Sequence, residues 1–167
     1  MSNHACPIES FFPNHPQEWS PCREDPNHVL DARILLISDQ DSTRRVLAAR
    51  LRARGAEVLS AGDIADALER LSRCQRRGRA IDLVVAHVDK GDAYQLTGLA
   101  GIQALAPVVA ISAHPVAGAC LNAGCSAFCE MPIDLEEFVI SCVSALDARM
   151  LQTEEAANLH PGHRRSA

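Results

Sequence analysis

From residue 32 onward, hydrophobic and polar positions follow two alternating periodicities. Short continuous apolar runs, such as 33–37 and 81–86, have the pattern of strands that are buried on both faces. Between these runs, apolar residues recur three and four positions apart, as in helices with one buried face. The pattern predicts five strands, over residues 33–37, 57–60, 81–86, 107–111 and 127–129. It predicts five helices, over residues 44–54, 64–72, 94–105, 117–123 and 135–150.

Local end signals agree with these elements. Ser42 and Thr43 precede the first helix and Gly55 ends it, while Asp63 is the predicted N-cap of the second helix. Residues 73–79 are rich in Arg and predict a basic loop after that helix.

The regular alternation of strand and helix predicts a doubly wound, five-stranded parallel sheet in an α/β/α three-layer sandwich. In such sheets, functional sites lie beyond the carboxyl ends of the strands. The candidate residues that follow the predicted strands are Asp39, Asp41, His87, Asp89, Ser112, Glu130, Met131 and Pro132.

The length of 167 residues fits one domain with short extensions. Residues 1–30 contain five Pro and no periodicity, and predict a flexible N-terminal arm. We place the domain at 31–151 and a C-terminal tail at 152–167, which is too short for an output domain and predicts a stand-alone module. The arm also holds residues that invite a zinc hypothesis, but their spacing fits no paired-ligand pattern: His4, Cys6, His15, Cys22 and His28.

Composition narrows the class of protein. Hydrophobic residues make up 47% and charged residues 22%, with a formal net charge of −5, as in a soluble globular protein. Neither a secretory leader nor a membrane-spanning run is present, which predicts a cytoplasmic protein. We expect no nucleic-acid partner and no membrane partner. Seven Cys, an odd number, do not indicate a disulfide framework.

The order of the elements and the residues at their ends resemble the receiver domain of bacterial response regulators, over about residues 32–150. The segments that carry the resemblance are Ile34-Leu35-Leu36-Ile37-Ser38-Asp39, Ile81-Asp82-Leu83-Val84-Val85-Ala86-His87, Val108-Val109-Ala110-Ile111-Ser112-Ala113 and the region from Ala123 to Pro132. The resemblance implies a flavodoxin-like (βα)5 fold and a role in two-component or phosphorelay signalling. In that family an Asp at the end of the third strand accepts a phosphoryl group. Acidic residues after the first strand hold Mg²⁺, and a Ser or Thr and a Lys hold the phosphate.

The sequence departs from that family where its chemistry takes place. Ser38 replaces one acid, His87 stands at the position of the acceptor Asp, and Met131 stands at the position of the Lys. Imidazole is a poor ligand for Mg²⁺, and a thioether carries no charge. We therefore expect no catalytic activity, no metal and no cofactor. The expected vestigial phosphorylation pocket consists of Asp39, Asp41, His87, Asp89, Ser112 and Met131.

Alternatives remain at this pocket. A register shifted by two residues makes Asp89 the acceptor, with Lys90, the one Lys in the chain, as a neighbouring cation. We favour His87 at the acceptor position, hydrogen-bonded to Asp39 or Ser112. A hydrolase triad of Ser112, His87 and Asp39 lacks the usual Gly-rich elbow around the Ser. A small-ligand or metal-binding module that uses the remodelled pocket is a further alternative.

A long uncharged segment points to an interaction surface. Residues 93–129 contain no Asp, Glu, Lys or Arg, although the outer faces of helices normally carry charge. We expect a partner or a second copy of the chain to cover the third and fourth helices. By resemblance, the helix 4–strand 5–helix 5 face is the output and dimer surface, with Phe128, Glu130 and Pro132 on it. The expected function is a phosphorylation-independent protein-interaction module whose partner is a kinase, another regulator or itself.

Overall fold

The computed structural model describes residues 30–90 and 93–158. The His and Cys residues of the arm, most of the rest of the predicted arm and the end of the predicted tail lie outside these ranges. The strands within them are β1 (Arg33–Ile37), β2 (Glu57–Ala61), β3 (Leu83–His87), β4 (Val108–Ser112) and β5 (Ala127–Glu130). The helices are α1 (Asp41–Ala53), α2 (Ile64–Arg76), α3 (Ala93–Gln103), α4 (Ala117–Asn122) and α5 (Leu135–Asn158).

The strands form one parallel sheet in the order β2-β1-β3-β4-β5. Because successive strand side chains point to opposite faces, each strand supplies two cores. Ile34 and Leu36 of β1 pack with Leu47 of α1 and Phe138 of α5 on one face. On the other face, Leu35 packs in a core formed with α2, α3 and α4. The predicted doubly wound, three-layer α/β/α fold is confirmed.

The second helix is longer than its sequence pattern predicts. The expected N-cap is confirmed, because the Asp63 carboxylate accepts the backbone amide of Asp66 at 2.8 Å. The helix continues to Arg76 rather than giving way to a loop at residue 73, so that part of the prediction is wrong. Ion pairs four residues apart, between Asp66 and Arg70 and between Glu69 and Arg73, stabilise this helix, and the second pair reaches past the predicted end.

Ordered structure is present just outside the predicted domain limits of 31 and 151. Leu30, which the sequence assigns to the arm, is buried, and its amide donates to the carbonyl of Arg54 at 2.8 Å. At the other end, α5 continues to Asn158, beyond the predicted helix end at residue 150 and into the predicted tail. The core-facing pattern on which the prediction rests stops near residue 146, whereas the last helical turns are exposed at residues 150–154.

Candidate functional site at the carboxyl ends of the strands

Three strand ends lie side by side at one edge of the sheet. Ser38 follows β1, His87 ends β3 and Ser112 ends β4, and the parallel pairing of these strands aligns them. A cavity of about 180 Å³ opens there between β1, β3, α2 and α3. We call it the strand-end pocket. Its polar lining residues are Ser38, Asp39, Asp63, His87 and Gln95.

The His87 imidazole is the central group of this pocket. Its side chain is only 6% exposed, and its Nδ1 lies 3.5 Å from the Ser38 hydroxyl and 4.0 Å from the Asp39 carboxylate. The buried Ser38 hydroxyl also accepts the amide of Gln40 at 3.2 Å, which fixes the turn after β1. The pocket floor is therefore a hydroxyl and an imidazole, held by the ends of β1 and β3.

Neither Ser112 nor Asp89 forms a hydrogen bond or an ion pair with His87. The fully buried Ser112 hydroxyl accepts the backbone amide of His114 at 3.0 Å. The His114 imidazole in turn lies 3.1 Å from the Asp89 carboxylate, and both side chains are about half exposed. The expected hydrogen bond from His87 to Asp39 or Ser112 is not formed, because Asp39 lies 4.0 Å away and the His87 Nδ1 is closer to the Ser38 hydroxyl, at 3.5 Å. Sequence reasoning missed His114, although its position two residues after a buried Ser was a usable signal.

A guanidinium occupies the turn after β1. Arg44 donates to the backbone carbonyl of Ser38 and forms an ion pair with Asp41, three residues earlier on α1. Its side chain is only 24% exposed, so it is not part of a fully solvated helix face. Its spacing of three residues from Asp41 on the first helical turn is the sequence signal for this ion pair. As a result, the Asp41 carboxylate is already paired with a cation.

Met131 lies away from the strand-end pocket. Its backbone amide donates to the Ser112 carbonyl at 2.8 Å, and a cis peptide bond joins it to Pro132. Its side chain packs against the core formed with α1 and α5 and lines an apolar groove of about 470 Å³ between α1 and the start of α5. Lys90 is exposed and forms no ion pair with a described residue. The strand-end pocket therefore receives no ammonium group from either position.

These residues do not fit a Mg²⁺ ion. Mg²⁺ requires near-octahedral coordination by carboxylate, phosphate and water oxygens. Here the carboxylate of Asp41 is paired with Arg44, and the end of β3 offers an imidazole. Over residues 30–90 and 93–158, no three His, Cys, Asp or Glu side chains come together as a metal site requires.

The clustered cysteines behave as core residues. Cys120, Cys125 and Cys129 lie on α4, the following turn and β5, and all three are buried free thiols. Burial raises the pKa of each thiol, to about 12 for Cys125. Because the thiolate is the reactive form, these residues are poor nucleophiles and poor metal ligands.

Comparison with known proteins identifies the fold. A response regulator receiver domain protein from Clostridium thermocellum superposes with a TM-score of 0.62 at 20% identity, over 72% of this chain and 98% of that chain. A response regulator from Thermotoga maritima gives a TM-score of 0.61 at 19% identity, over 71% and 99% of the two chains. The chain has the receiver fold of response regulators. The resemblance that the sequence predicts is thus confirmed at the level of the fold.

NtrX from Brucella abortus, solved with ADP, shares this receiver fold over 77% of the present chain at 26% identity, with a TM-score of 0.64. The match spans only 29% of the NtrX chain, so the rest of that protein has no counterpart in the alignment. No protein-family model and no curated protein sequence matches the present chain. Among the helices of the described residues, none has the length and apolar character needed to cross a bilayer.

Proposed function

We propose that this receiver domain is a protein-binding module of two-component or phosphorelay signalling that acts without aspartyl phosphorylation. The observation that carries the proposal is the position of His87. Its imidazole ends β3, where the receiver family carries its acceptor Asp, and lies within 4.0 Å of both Ser38 and Asp39. In place of the carboxylate that accepts a phosphoryl group, this chain has the His87 imidazole, which lies beside Ser38 and Asp39.

The charges around the pocket support the same conclusion. Phosphoryl transfer is catalysed mainly by positioning and by cations on the equatorial oxygens of the transferred group. The Arg44 guanidinium is engaged with the Ser38 carbonyl and Asp41, and Met131 brings no charge. A dianionic adduct at the end of β3 would therefore lack the compensation that the receiver family supplies with a metal and a Lys.

Intact-protein mass spectrometry after incubation with acetyl phosphate and Mg²⁺ tests whether the chain is phosphorylated. We expect no phosphoryl adduct on the full chain. Asp89 is the strongest competing acceptor, since its carboxylate is 47% exposed and lies 3.1 Å from a His114 nitrogen. A stable adduct that disappears in Asp89→Asn would overturn the proposal and establish an active receiver with an unconventional acceptor.

The binding surface of this proposal is the face formed by α4, β5 and α5. Leu121 of α4 and Ile140 of α5 are each 49% exposed, and Glu130 and Pro132 are exposed beside the half-buried Phe128. Residues 93–129, which include all of α4, carry no charge. Exposed apolar side chains with few charges are typical of protein interfaces. The proposed occupant is a kinase, another regulator or a second copy of the chain.

Light scattering after size exclusion tests the homodimer. Leu121→Glu places a charge at an exposed position of α4, and Val46→Glu is the matched control because Val46 is an exposed apolar residue on α1. We expect a dimer that Leu121→Glu dissociates and Val46→Glu leaves intact. A dimer that is equally stable in both variants would contradict this surface assignment.

A further inference from the structure

The charges of the chain are unevenly distributed. Residues 33–79 contain eleven Arg and six acidic residues, whereas residues 93–129 contain no charge. The basic part corresponds to β1, α1, β2 and α2, and β2 lies at one edge of the sheet. Neither the strand-end pocket nor the α4–β5–α5 face accounts for this concentration of Arg.

Five of these Arg side chains line one cleft at that edge. The cleft has a volume of about 190 Å³ and lies beside the amino ends of β1 and β2 and the carboxyl end of α2, at the opposite end of the strands from the strand-end pocket. We call it the arginine cleft. Its lining residues are Arg33, Glu57, Leu59, Arg70, Arg73, Cys74, Arg77 and Arg79.

The cleft already holds one carboxylate between two guanidinium groups. The Oε2 of Glu57 accepts from Arg33 at 2.8 and 3.0 Å, and its Oε1 accepts from Arg79 at 3.3 Å. The hydrogen bond from Arg33 lowers the pKa of Glu57, so its carboxylate stays ionised. The geometry is therefore that of an oxyanion bound from two sides.

The remaining carboxylates do not neutralise the cleft. Asp66 pairs with Arg70 at 2.8 Å and Glu69 with Arg73 at 2.5 Å. The carboxylate of Asp82 accepts the backbone amide of Arg33 at 2.8 Å. Arg77 forms no ion pair with any residue that the structure describes. Five guanidinium groups thus face four nearby carboxylates, and most N–H donors of Arg70, Arg77 and Arg79 have no acceptor among the described residues.

We propose that the arginine cleft binds a small polyphosphate anion, either inorganic or the polyphosphate end of a nucleotide. Guanidinium forks match phosphate oxygens in pairs, and several of them around a concave site favour a ligand with more than one negative charge. The volume of about 190 Å³ suits two or three phosphoryl groups rather than a whole drug-sized ligand. The exposed Glu57 carboxylate is the internal competitor for the same donors.

Isothermal titration of the full chain with inorganic tripolyphosphate tests the site. We expect saturable binding to one site that weakens steeply between about 50 and 200 mM salt. Arg77→Ala combined with Arg79→Ala should weaken binding by about tenfold or more, the effect of losing charge-assisted hydrogen bonds. The matched control, Arg45→Ala with Arg50→Ala, removes the same charge from exposed positions of α1 and should keep the affinity within about twofold.

Glu57→Gln should change the affinity for tripolyphosphate in the opposite direction from the Arg variants. Removal of the competing charge should strengthen tripolyphosphate binding, whereas a purely structural role of the cluster would give no gain. Separate titrations with ATP and ADP distinguish an inorganic polyphosphate from a nucleotide as the ligand. If the affinity for the nucleotides equals that for tripolyphosphate, the cleft recognises the phosphates alone. Absence of saturable binding, or equal losses in the cleft and control variants, would overturn the proposal.

Discussion

The Nδ1 of His87 lies 3.5 Å from the hydroxyl of Ser38, and this contact joins the ends of β3 and β1 across the strand-end pocket. Both side chains are almost completely buried, at 6% and 1% exposure. In the receiver family this place holds carboxylates that repel one another unless a metal lies between them. An imidazole and a hydroxyl have no such repulsion, so their approach requires no cation between them.

This relationship predicts that carboxylates at both positions create a metal site. Ser38→Asp combined with His87→Asp should show saturable Mg²⁺ binding, because it brings two new carboxylates beside Asp39. Calorimetric titration should give binding for the double variant and none for the unmodified chain. His87→Asn, which removes the imidazole without adding charge, should not bind. If the unmodified chain binds Mg²⁺ as tightly as the double variant, the proposed loss of the metal site is wrong.

The Arg44 guanidinium should weaken Mg²⁺ binding in the Ser38→Asp and His87→Asp double variant. Arg44 pairs with Asp41 and donates to the Ser38 carbonyl at the rim of the new site. Addition of Arg44→Ala to Ser38→Asp and His87→Asp should tighten Mg²⁺ binding further, since a nearby cation is removed and the Asp41 carboxylate is released. Arg45→Ala, one residue away on the exposed side of α1, is the control and should leave the affinity unchanged.

The sheet could be predicted from the sequence because its strands are continuous apolar runs. β1 matches its predicted bounds, and the alternation of five strands and five helices along the described residues is the predicted one. The ends of α2 and α5 could not be predicted, since exposed ion pairs and exposed helical turns leave no periodic apolar signal. At the site, the strand-end position of His87 was predictable, and the three-residue spacing of Asp41 and Arg44 permits their ion pair. The hydrogen bond from Arg44 to the Ser38 carbonyl could not be predicted, because it depends on the conformation of the turn after β1.

The glycines of α3 provide a matched pair for a packing prediction. A Cβ at Gly98 would lie 2.5 Å from the Cγ2 of Ile64 on α2, whereas Gly101 has open space around it. Gly98→Ala should lower the free energy of unfolding by about 1–3 kcal/mol, the usual cost of overpacking. Gly101→Ala should raise it by about 0.5–1 kcal/mol, because Ala favours the helix. Urea denaturation measures both, and similar effects at the two positions would contradict the close approach of α2 and α3.

The α5 helix allows core and surface contributions to be separated. Phe138 is fully buried against the sheet, and Ile140 on the same helix is 49% exposed. Phe138→Ala should lower the free energy of unfolding by about 3–5 kcal/mol. Ile140→Ala should change it by about 0.5 kcal/mol or less. Because Ile140 lies on the proposed binding face, a variant that keeps its stability but loses self-association would also support that face.

The ion pair between Arg33 and Glu57 predicts a pH dependence of stability. The hydrogen bond from Arg33 lowers the pKa of Glu57 in the folded chain, so its stabilising contribution is present above the unfolded pKa of about 4.3. It is lost as the pH falls through the lower folded value. The difference in unfolding free energy between the unmodified chain and Arg33→Gln should therefore be larger near neutral pH than in acid. In the Glu57→Gln background, the effect of Arg33→Gln should not change with pH, and a persisting change would assign it to another group.

Buried thiols predict a selective pattern of alkylation. Cys125 and Cys142 are 6% and 0% exposed, and burial raises the pKa of both thiols, to about 12 for Cys125. Alkylation requires the thiolate, so iodoacetamide near the ordinary thiol pKa of about 8.5 should leave both unmodified in the folded chain. The partly exposed Cys74 on α2 serves as the internal reference and should react before Cys125 and Cys142. Peptide mapping before and after urea distinguishes the sites, and rapid native modification of Cys142 would show that the core beneath α5 opens readily.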